Sequence, residues 1–325
     1  MGVSFLEIPL VERFLTLTEE SLKKFIDSQV RAIVEVGNYI VEGGGKRLRP
    51  LLLLLIAKGG GLENKHLEER GVPLAVGIEY IHTASLLHDD VVDNSQRRRG
   101  RPSAHTLFGN AVSVLTGDYM YATALYLYSI YGTPKMIEVV SNAVRLMAEG
   151  QVLELKKVGE LIDEKTYFEI IDGKTAVLFG ASAAVGALAS PNLRGSYKDF
   201  WNFGLYLGRA FQLIDDALDY EGSETQLGKP VGQDLMEGKT TYPLLVILQK
   251  IGDIQEVKRI LLNGSPEELK NLVNLVRELG GVEKTKERAR RELSRAKEIL
   301  NRSKLQGEVR EILNQMVDFI AERTY

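Results

Sequence analysis

Two acidic pentads of one form, Asp89-Asp90-Val91-Val92-Asp93 and Asp215-Asp216-Ala217-Leu218-Asp219, each close an apolar run with helical spacing. In a helix, residues four apart share a face and lie about 6 Å apart along the axis, so Asp89 and Asp93 project together, as do Asp215 and Asp219. Charge concentrated in this way is tolerable if the motifs stay solvated and separate, or if hard divalent cations bridge them to an anionic ligand. Magnesium keeps several waters and takes one or two carboxylates plus substrate phosphates, which such a pentad can offer. A solvated acidic helix end would explain one pentad. The same spacing twice, each time with a Leu/Ile lead-in, favours a paired magnesium site.

The rest of the chain reads as helix, with alternating strand patterns scarce, so the fold class is all-α. Thr16-x-x-Glu19 has the form of a capping box opening a helix that runs to Gly43-Gly44-Gly45, and Pro50 starts a Leu-rich stretch stopped at Gly59-Gly60-Gly61. Further helices are expected from Pro73 into the first pentad, from Asn110 to Gly132, from Pro134 to Val158 and from Glu164 to Ala189. Ser196-x-x-Asp199 opens one that carries the second pentad into a Gly-rich loop, Gly222 to Gly238. Beyond Thr240 the pattern is of shorter amphipathic helices, one opened by Ser265-Pro266-Glu267-Glu268, with a charge-dense stretch from Lys284 to Arg302 expected to be a solvated face. No repeat or linker divides the 325 residues, and a single domain over 1–325 is expected. The net charge of -3 gives no pull toward nucleic acid, and the absence of Cys fits a reducing cytosol. The low-polarity run Ala176 to Ala189 is shorter than a bilayer span requires, so neither a membrane helix nor a signal peptide is expected.

Basic residues gather at helix ends and beside the pentads: Lys46, Arg47 and Arg49 after three glycines, Arg97 to Arg99 and Arg101 after the first pentad, Lys174 before Thr175, and Lys229 and Lys239 around the loop after the second. A Walker A loop would need Gly five residues ahead of Gly173-Lys174-Thr175 or Gly238-Lys239-Thr240, where Phe168 and Gln233 stand. The arginine run lacks the aromatic series of a nucleic-acid patch. The economical reading is two diphosphates, one held through magnesium on carboxylates and one held directly by the paired donors of arginine and by lysine. The metal-held group would be the one that leaves. The four histidines show no zinc-like spacing, though His82 shares the helix face of Asp89. Gln151 and Glu154 are left as core or supporting residues.

These motifs together resemble the trans-isoprenyl diphosphate synthases (polyprenyl synthetases). The likeness rests on Gly44 to Pro50, Glu79 through His82 and Leu87 to Asp93, Arg98 to Pro102, Gly173-Lys174-Thr175, Phe211 to Asp216, and Gly228-Lys229-Pro230 through Asp234 to Lys239, in order over residues 40 to 245. The resemblance implies an isoprenoid synthase type I helical bundle around a central cavity, usually a cytoplasmic homodimer, that joins an allylic diphosphate such as farnesyl diphosphate head to tail with isopentenyl diphosphate. It implies that Lys46, Arg49, His82 and Arg99 hold isopentenyl diphosphate, and that Asp89, Asp93 and Asp215 bind two or three magnesium ions. Arg98, Lys174, Lys229 and Lys239 would hold the allylic diphosphate, Thr175 and Gln212 would lie near the allylic cation, and Asp90, Asp216 and Asp219 would support the metal site. Ionisation, attack by the isopentenyl double bond and proton loss to pyrophosphate would need no dedicated side-chain base.

Product length is then a question of sterics along the helix leading to Asp89. Members of the family that make short products carry bulk four or five residues before the first Asp; here Ser85 and Ala84 stand there. A deeper floor would come from Ile81 or Ile78, or from Tyr119, Met120 and Tyr121. A long all-trans product, hexaprenyl to decaprenyl with octaprenyl central, is expected. Alternatives are a geranylgeranyl or farnesyl diphosphate synthase, a class I terpene cyclase, which needs no second diphosphate site, and a non-catalytic subunit, which has no use for both pentads.

Overall fold

Proline at helix starts and glycine at helix ends set most of the boundaries. The structure, a computed structural model, describes residues 4–222 and 231–323. The main helices are α1 (Pro9–Lys24), α2 (Arg31–Glu42), α3 (Leu48–Gly59), α4 (Val72–Val92), α5 (Asn110–Tyr131), α6 (Pro134–Lys157), α7 (Glu164–Ile171), α8 (Val177–Ala189), α9 (Tyr197–Glu221), α10 (Ile254–Asn263), α11 (Pro266–Glu278), α12 (Gly281–Arg302) and α13 (Gly307–Ala321). One π-helical turn, Leu67–Gly71, leads into α4, and another, Asp172–Ala176, joins α7 to α8. Among the described residues the only strands are β1 (Arg97–Arg98) and β2 (Arg101–Pro102), an antiparallel pair with Arg98 opposite Arg101.

The chain forms two compact units. The first comprises Met1–Val144, Ala181–Trp201 and Ser303–Leu313; the second comprises Arg145–Gly180, Asn202–Arg302 and Asn314–Tyr325. In the first, the middle of α3, Leu51 to Ala57, is apolar all round and almost fully buried, as a stretch of helix without a polar face must be. Helix α4 lies against α5 at contacts that admit no larger residue. A Cβ on Gly77 would sit 2.7 Å from the Tyr128 ring, and one on Gly117 would sit 2.5 Å from the His88 ring. In the second unit, a Cβ on Gly204 of α9 would meet the Phe179 carbonyl at 2.2 Å, and one on Gly208 would meet the Cα of Ala176 at 2.6 Å. The helices after Thr240 wrap an apolar cluster around Tyr220, Leu235, Leu244 and Ile247 at the foot of α9.

Several sequence expectations need correction. Thr16 and Glu19 form no helix start: α1 begins at Pro9, in the favoured first position, and α2 is a separate helix. Glu19 instead pairs with Arg47. The 22-residue α12 is not short, and its charge-dense stretch is not wholly solvated, since Glu292 is fully buried. The β1–β2 hairpin was not foreseen. The continuous helix from Glu164 to Ala189 is long and apolar enough to cross a membrane by length and composition, but 89% of its most apolar window is buried within the protein.

Candidate active site

In the first unit the pentad forms the last turn of α4, with Asp93 as its C-cap. Asp89 is half-buried and Asp93 exposed, so both can reach a solvated ion. Asp90 turns inward, is 3% exposed, and takes a two-pronged bond from Arg98, Nε to Oδ2 and Nη2 to Oδ1, both at 2.8 Å. Asp90 therefore fixes Arg98 on the strand that leaves the pentad. The hairpin turn puts Arg99 and Gly100 at positive φ, 50° and 75°, the pairing a two-residue loop of this twist requires. Gly45, also at positive φ, lets the backbone approach the Arg99 guanidinium: a Cβ there would sit 2.9 Å from Nη1. Arg101 lies over the Tyr39 ring at 4.2 Å, and the Tyr39 hydroxyl donates to the Pro102 carbonyl.

Not every cation of this cluster faces a ligand. Arg47 is 5% exposed and donates to Glu79 at 2.9 Å, to Glu19 and to the Val41 carbonyl. It is a fastening between α1, α3 and α4, held in the left-handed region at φ 50° at a cost of roughly 1 kcal/mol. Lys46 is exposed, while Arg49 and His82 are half-buried. Burial, and then the charges of Arg49, Arg99, Arg98 and Arg47, hold the His82 imidazole well below its ordinary value. It is thus neutral at physiological pH, able to donate one N–H without adding charge. Burial and Arg98 also lower Arg99 from its usual range. This cationic nest is poised for an anion whose arrival relieves its own repulsion.

In the second unit the pentad ends α9. Asp215 is exposed, whereas Asp216 and Asp219 are 3% and 2% exposed. Asp216 accepts from the Tyr167 hydroxyl and from Gln212 Nε2 at 2.9 Å. Burial pushes the Asp216 carboxyl up to about 7, against the pull of those two donors and with the charges of Asp215 and Asp219 adding to the rise. Asp219 accepts from the Asp234 backbone N–H at 3.0 Å and so anchors the far end of the following loop. Thr175 donates to Gln212 Oε1 at 2.9 Å, which fixes the orientation of that amide. Lys174 donates to Glu154 at 2.6 Å, and Lys239 lies 3.5 Å from the same oxygen. Asp216, Gln212, Thr175, Lys174, Glu154 and Lys239 line a cavity of about 120 Å³ whose other wall is apolar, with Ile162, Ile170 and Ile171. Lys229 lies outside the described residues.

Glycine places Lys174. A Cβ on Gly150 of α6 would stand 2.8 Å from the Cα of Gly173 and 3.0 Å from the Lys174 nitrogen. The two backbones touch there, one helical turn before Glu154. Sequence spacing left Glu154 undecided; the structure makes it the acceptor shared by two lysines. Gln151 beside it has a buried amide with no hydrogen-bond partner on either atom among the described residues. Arg323 was missed altogether: it stacks on Phe211 at 3.8 Å and reaches Asp215 at 3.7 Å. No motif announces a cation so far along the chain from its partner. Among the chain-length candidates, Ala84 and Ile81 are fully buried, and Ser85 is half-buried with its hydroxyl on the His82 carbonyl at 2.6 Å.

The donor set fits magnesium held jointly with phosphate. Among the described residues no three His, Asp or Glu side chains gather closely enough to cage an ion by themselves. Each pentad instead presents hard carboxylates, accessible at Asp89, Asp93 and Asp215, with the inward ones committed to protein donors. Magnesium completed by substrate oxygens asks for that arrangement.

The family model described as Polyprenyl synthetase matches residues 30–278. The octaprenyl diphosphate synthase of Escherichia coli (strain K12) is 42% identical over 276 residues, covering 83% of this chain and 84% of that protein. Two crystal structures align over nearly the whole chain. A polyprenyl synthase from Caulobacter crescentus CB15, complexed with calcium and isoprenyl diphosphate, has a TM-score of 0.90 at 34% identity, covering 99% of this chain and 97% of that one. A decaprenyl diphosphate synthase from Rhodobacter capsulatus has a TM-score of 0.88 at 34% identity, covering 97% of each chain.

Proposed function

Since the chain belongs to the polyprenyl synthetase family, we propose that it is a magnesium-dependent prenyltransferase making a long all-trans polyprenyl diphosphate, hexaprenyl to decaprenyl with octaprenyl central, and that residues 1–325 work as one catalytic domain. The observation that carries this is the duplicated pentad logic: in each, the first Asp is accessible and the second is buried and committed to the site's own donors. Relatives that make octaprenyl and decaprenyl diphosphates support the long product.

The division of labour is the one that the family resemblance implies. Lys46, Arg49, Arg99 and the neutral His82 hold the diphosphate of isopentenyl diphosphate, which stays intact because no metal ligand is among them. Lys174, Lys239 and Arg98, with Lys229, neutralise the allylic diphosphate. Asp89, Asp93 and Asp215 hold two or three magnesium ions, supported by Asp90, Asp216 and Asp219. Bound magnesium would offset the negative charge that builds on the departing pyrophosphate. Thr175 and Gln212 present oxygen dipoles to the allylic cation, and the released pyrophosphate takes the proton lost after the isopentenyl double bond attacks. A terpene cyclase has no use for the cationic nest around His82.

Purified protein incubated with magnesium, farnesyl diphosphate and labelled isopentenyl diphosphate should give products of hexaprenyl to decaprenyl length, and excess EDTA should abolish them. Products that stop at geranylgeranyl length would overturn the long-chain assignment, and cyclised hydrocarbon would overturn the reaction. The protein is further read as a cytoplasmic homodimer. Helix α5 leaves Leu115, Leu125, Tyr126 and Ile130 about half exposed or more, an apolar stripe of the kind a second copy covers. Light scattering should report twice the chain mass for the wild type and a shift toward monomer for Tyr126→Glu; a wild-type monomer would refute the dimer.

A further inference from the structure

The helix that carries Lys174 has a working face and a held face. On the working face Tyr167, Ile171 and Lys174 line the cavity. On the held face stand Glu164, Phe168 and Asp172, four residues apart and therefore in one row. Arg209 of α9 grips Asp172 with two parallel bonds, Nε to Oδ1 and Nη2 to Oδ2, both at 2.6 Å. The remaining guanidinium nitrogen of Arg209 lies 3.8 Å from Oε2 of the fully buried Glu292 on α12. Glu292 also receives Arg288 at 3.2 Å, and Arg288 in turn donates to Glu164 at 2.9 Å and lies over Phe168 at 4.5 Å.

Asp172 opens the π-helical turn Asp172–Ala176, which contains Lys174 and Thr175. Such a turn holds one residue more than an α-turn, and moving the extra residue along the helix rotates the side chains it passes by about 100°. A shift of that size would turn Lys174 away from Glu154 and Thr175 away from Gln212. Something must fix its phase. The Gly150–Gly173 contact sets the distance to α6 but, lacking side chains, resists rotation weakly. A two-pronged carboxylate–guanidinium pair is demanding in geometry, and so resists it more strongly.

We propose that the Asp172–Arg209 pair, backed by Glu292, is a positioning device that fixes the phase of the π-helical turn and thereby aims Lys174 and Thr175 at the allylic diphosphate. The proposal rests on that cavity being the allylic site. It assigns a role in the reaction to α12, far in sequence from every motif. Arg209 and Asp172 are positioning residues and touch no substrate.

The full chain carrying Arg209→Leu, and separately Asp172→Asn, tests this at a temperature where circular dichroism shows both variants folded. The KM for farnesyl diphosphate should rise about tenfold, while the KM for isopentenyl diphosphate stays within about twofold. Arg209→Lys keeps the charge without the fork and should fall between. Amide hydrogen exchange over residues 172–176 should quicken in both variants. A merely stabilising pair would lower the melting temperature and leave the kinetic constants and that exchange as in the wild type, which overturns the proposal; so does an equal rise in both KM values. A wild type that turns over no substrate overturns the proposed function instead, and the exchange measurement then decides the positioning role by itself, unchanged exchange in both variants refuting it.

Discussion

An Asp215→Ala variant is expected to fold as the wild type does and to lose about a thousandfold in kcat. Its side chain is 54% exposed and its contacts are long: Arg323 at 3.7 Å and Gln212 at 3.5 Å. An exposed group with such contacts contributes within about 0.5 kcal/mol to stability, so thermal melting should hardly move. On the proposed function it would help hold magnesium beside the leaving group, where the ion offsets the charge that builds as the C–O bond breaks. Asp216→Ala provides the contrast. That carboxylate is buried under Tyr167 and Gln212, and its removal strands two donors at about 1–3 kcal/mol each, so stability should fall together with activity. A kcat for Asp215→Ala within a few-fold of wild type would remove Asp215 from the metal site.

Ala84→Phe is expected to change what is made rather than how fast. The residue is fully buried on α4, one turn and a residue ahead of Asp89, along the wall assigned to the growing chain. Each condensation lengthens the product by one isoprene unit, so a ring placed there should stop growth near farnesyl or geranylgeranyl length. The packing sets a limit that can be measured. The Ala84 carbonyl lies close to Gly117, where a Cβ would stand 3.4 Å from it, so α4 and α5 have little slack. The added ring should therefore cost about 1–3 kcal/mol of stability as well. Product sizing by thin-layer chromatography after removal of the diphosphate separates the two effects. An unshortened product from a folded Ala84→Phe protein would place the chain's path elsewhere.

What the sequence made legible was what repeats locally. Helix α5 begins at Asn110, and α11 opens on Ser265 with its capping box, because these signals act within four residues. The pentads were readable for the same reason. Pairings between distant residues were not: Arg47 has the look of a phosphate ligand until Glu79 and Glu19 are seen to occupy it. Glu154 becomes informative only when Lys174 and Lys239 converge on one of its oxygens. Two-residue strands lie below what alternation can reveal, so the hairpin holding Arg98 and Arg99 went unseen. The capping box at Thr16 misled because Pro9 had already started the helix.

The bare contact of Gly150 with Gly173 bears on any attempt to redesign the pocket for bulkier primers. Two backbones already touch there, so no atoms can be trimmed to widen that side, and any addition drives the helices apart and drags the lysine with them. Room has to be found across the cavity, by shortening Ile162 or Ile170, where methyl groups rather than main chain form the boundary.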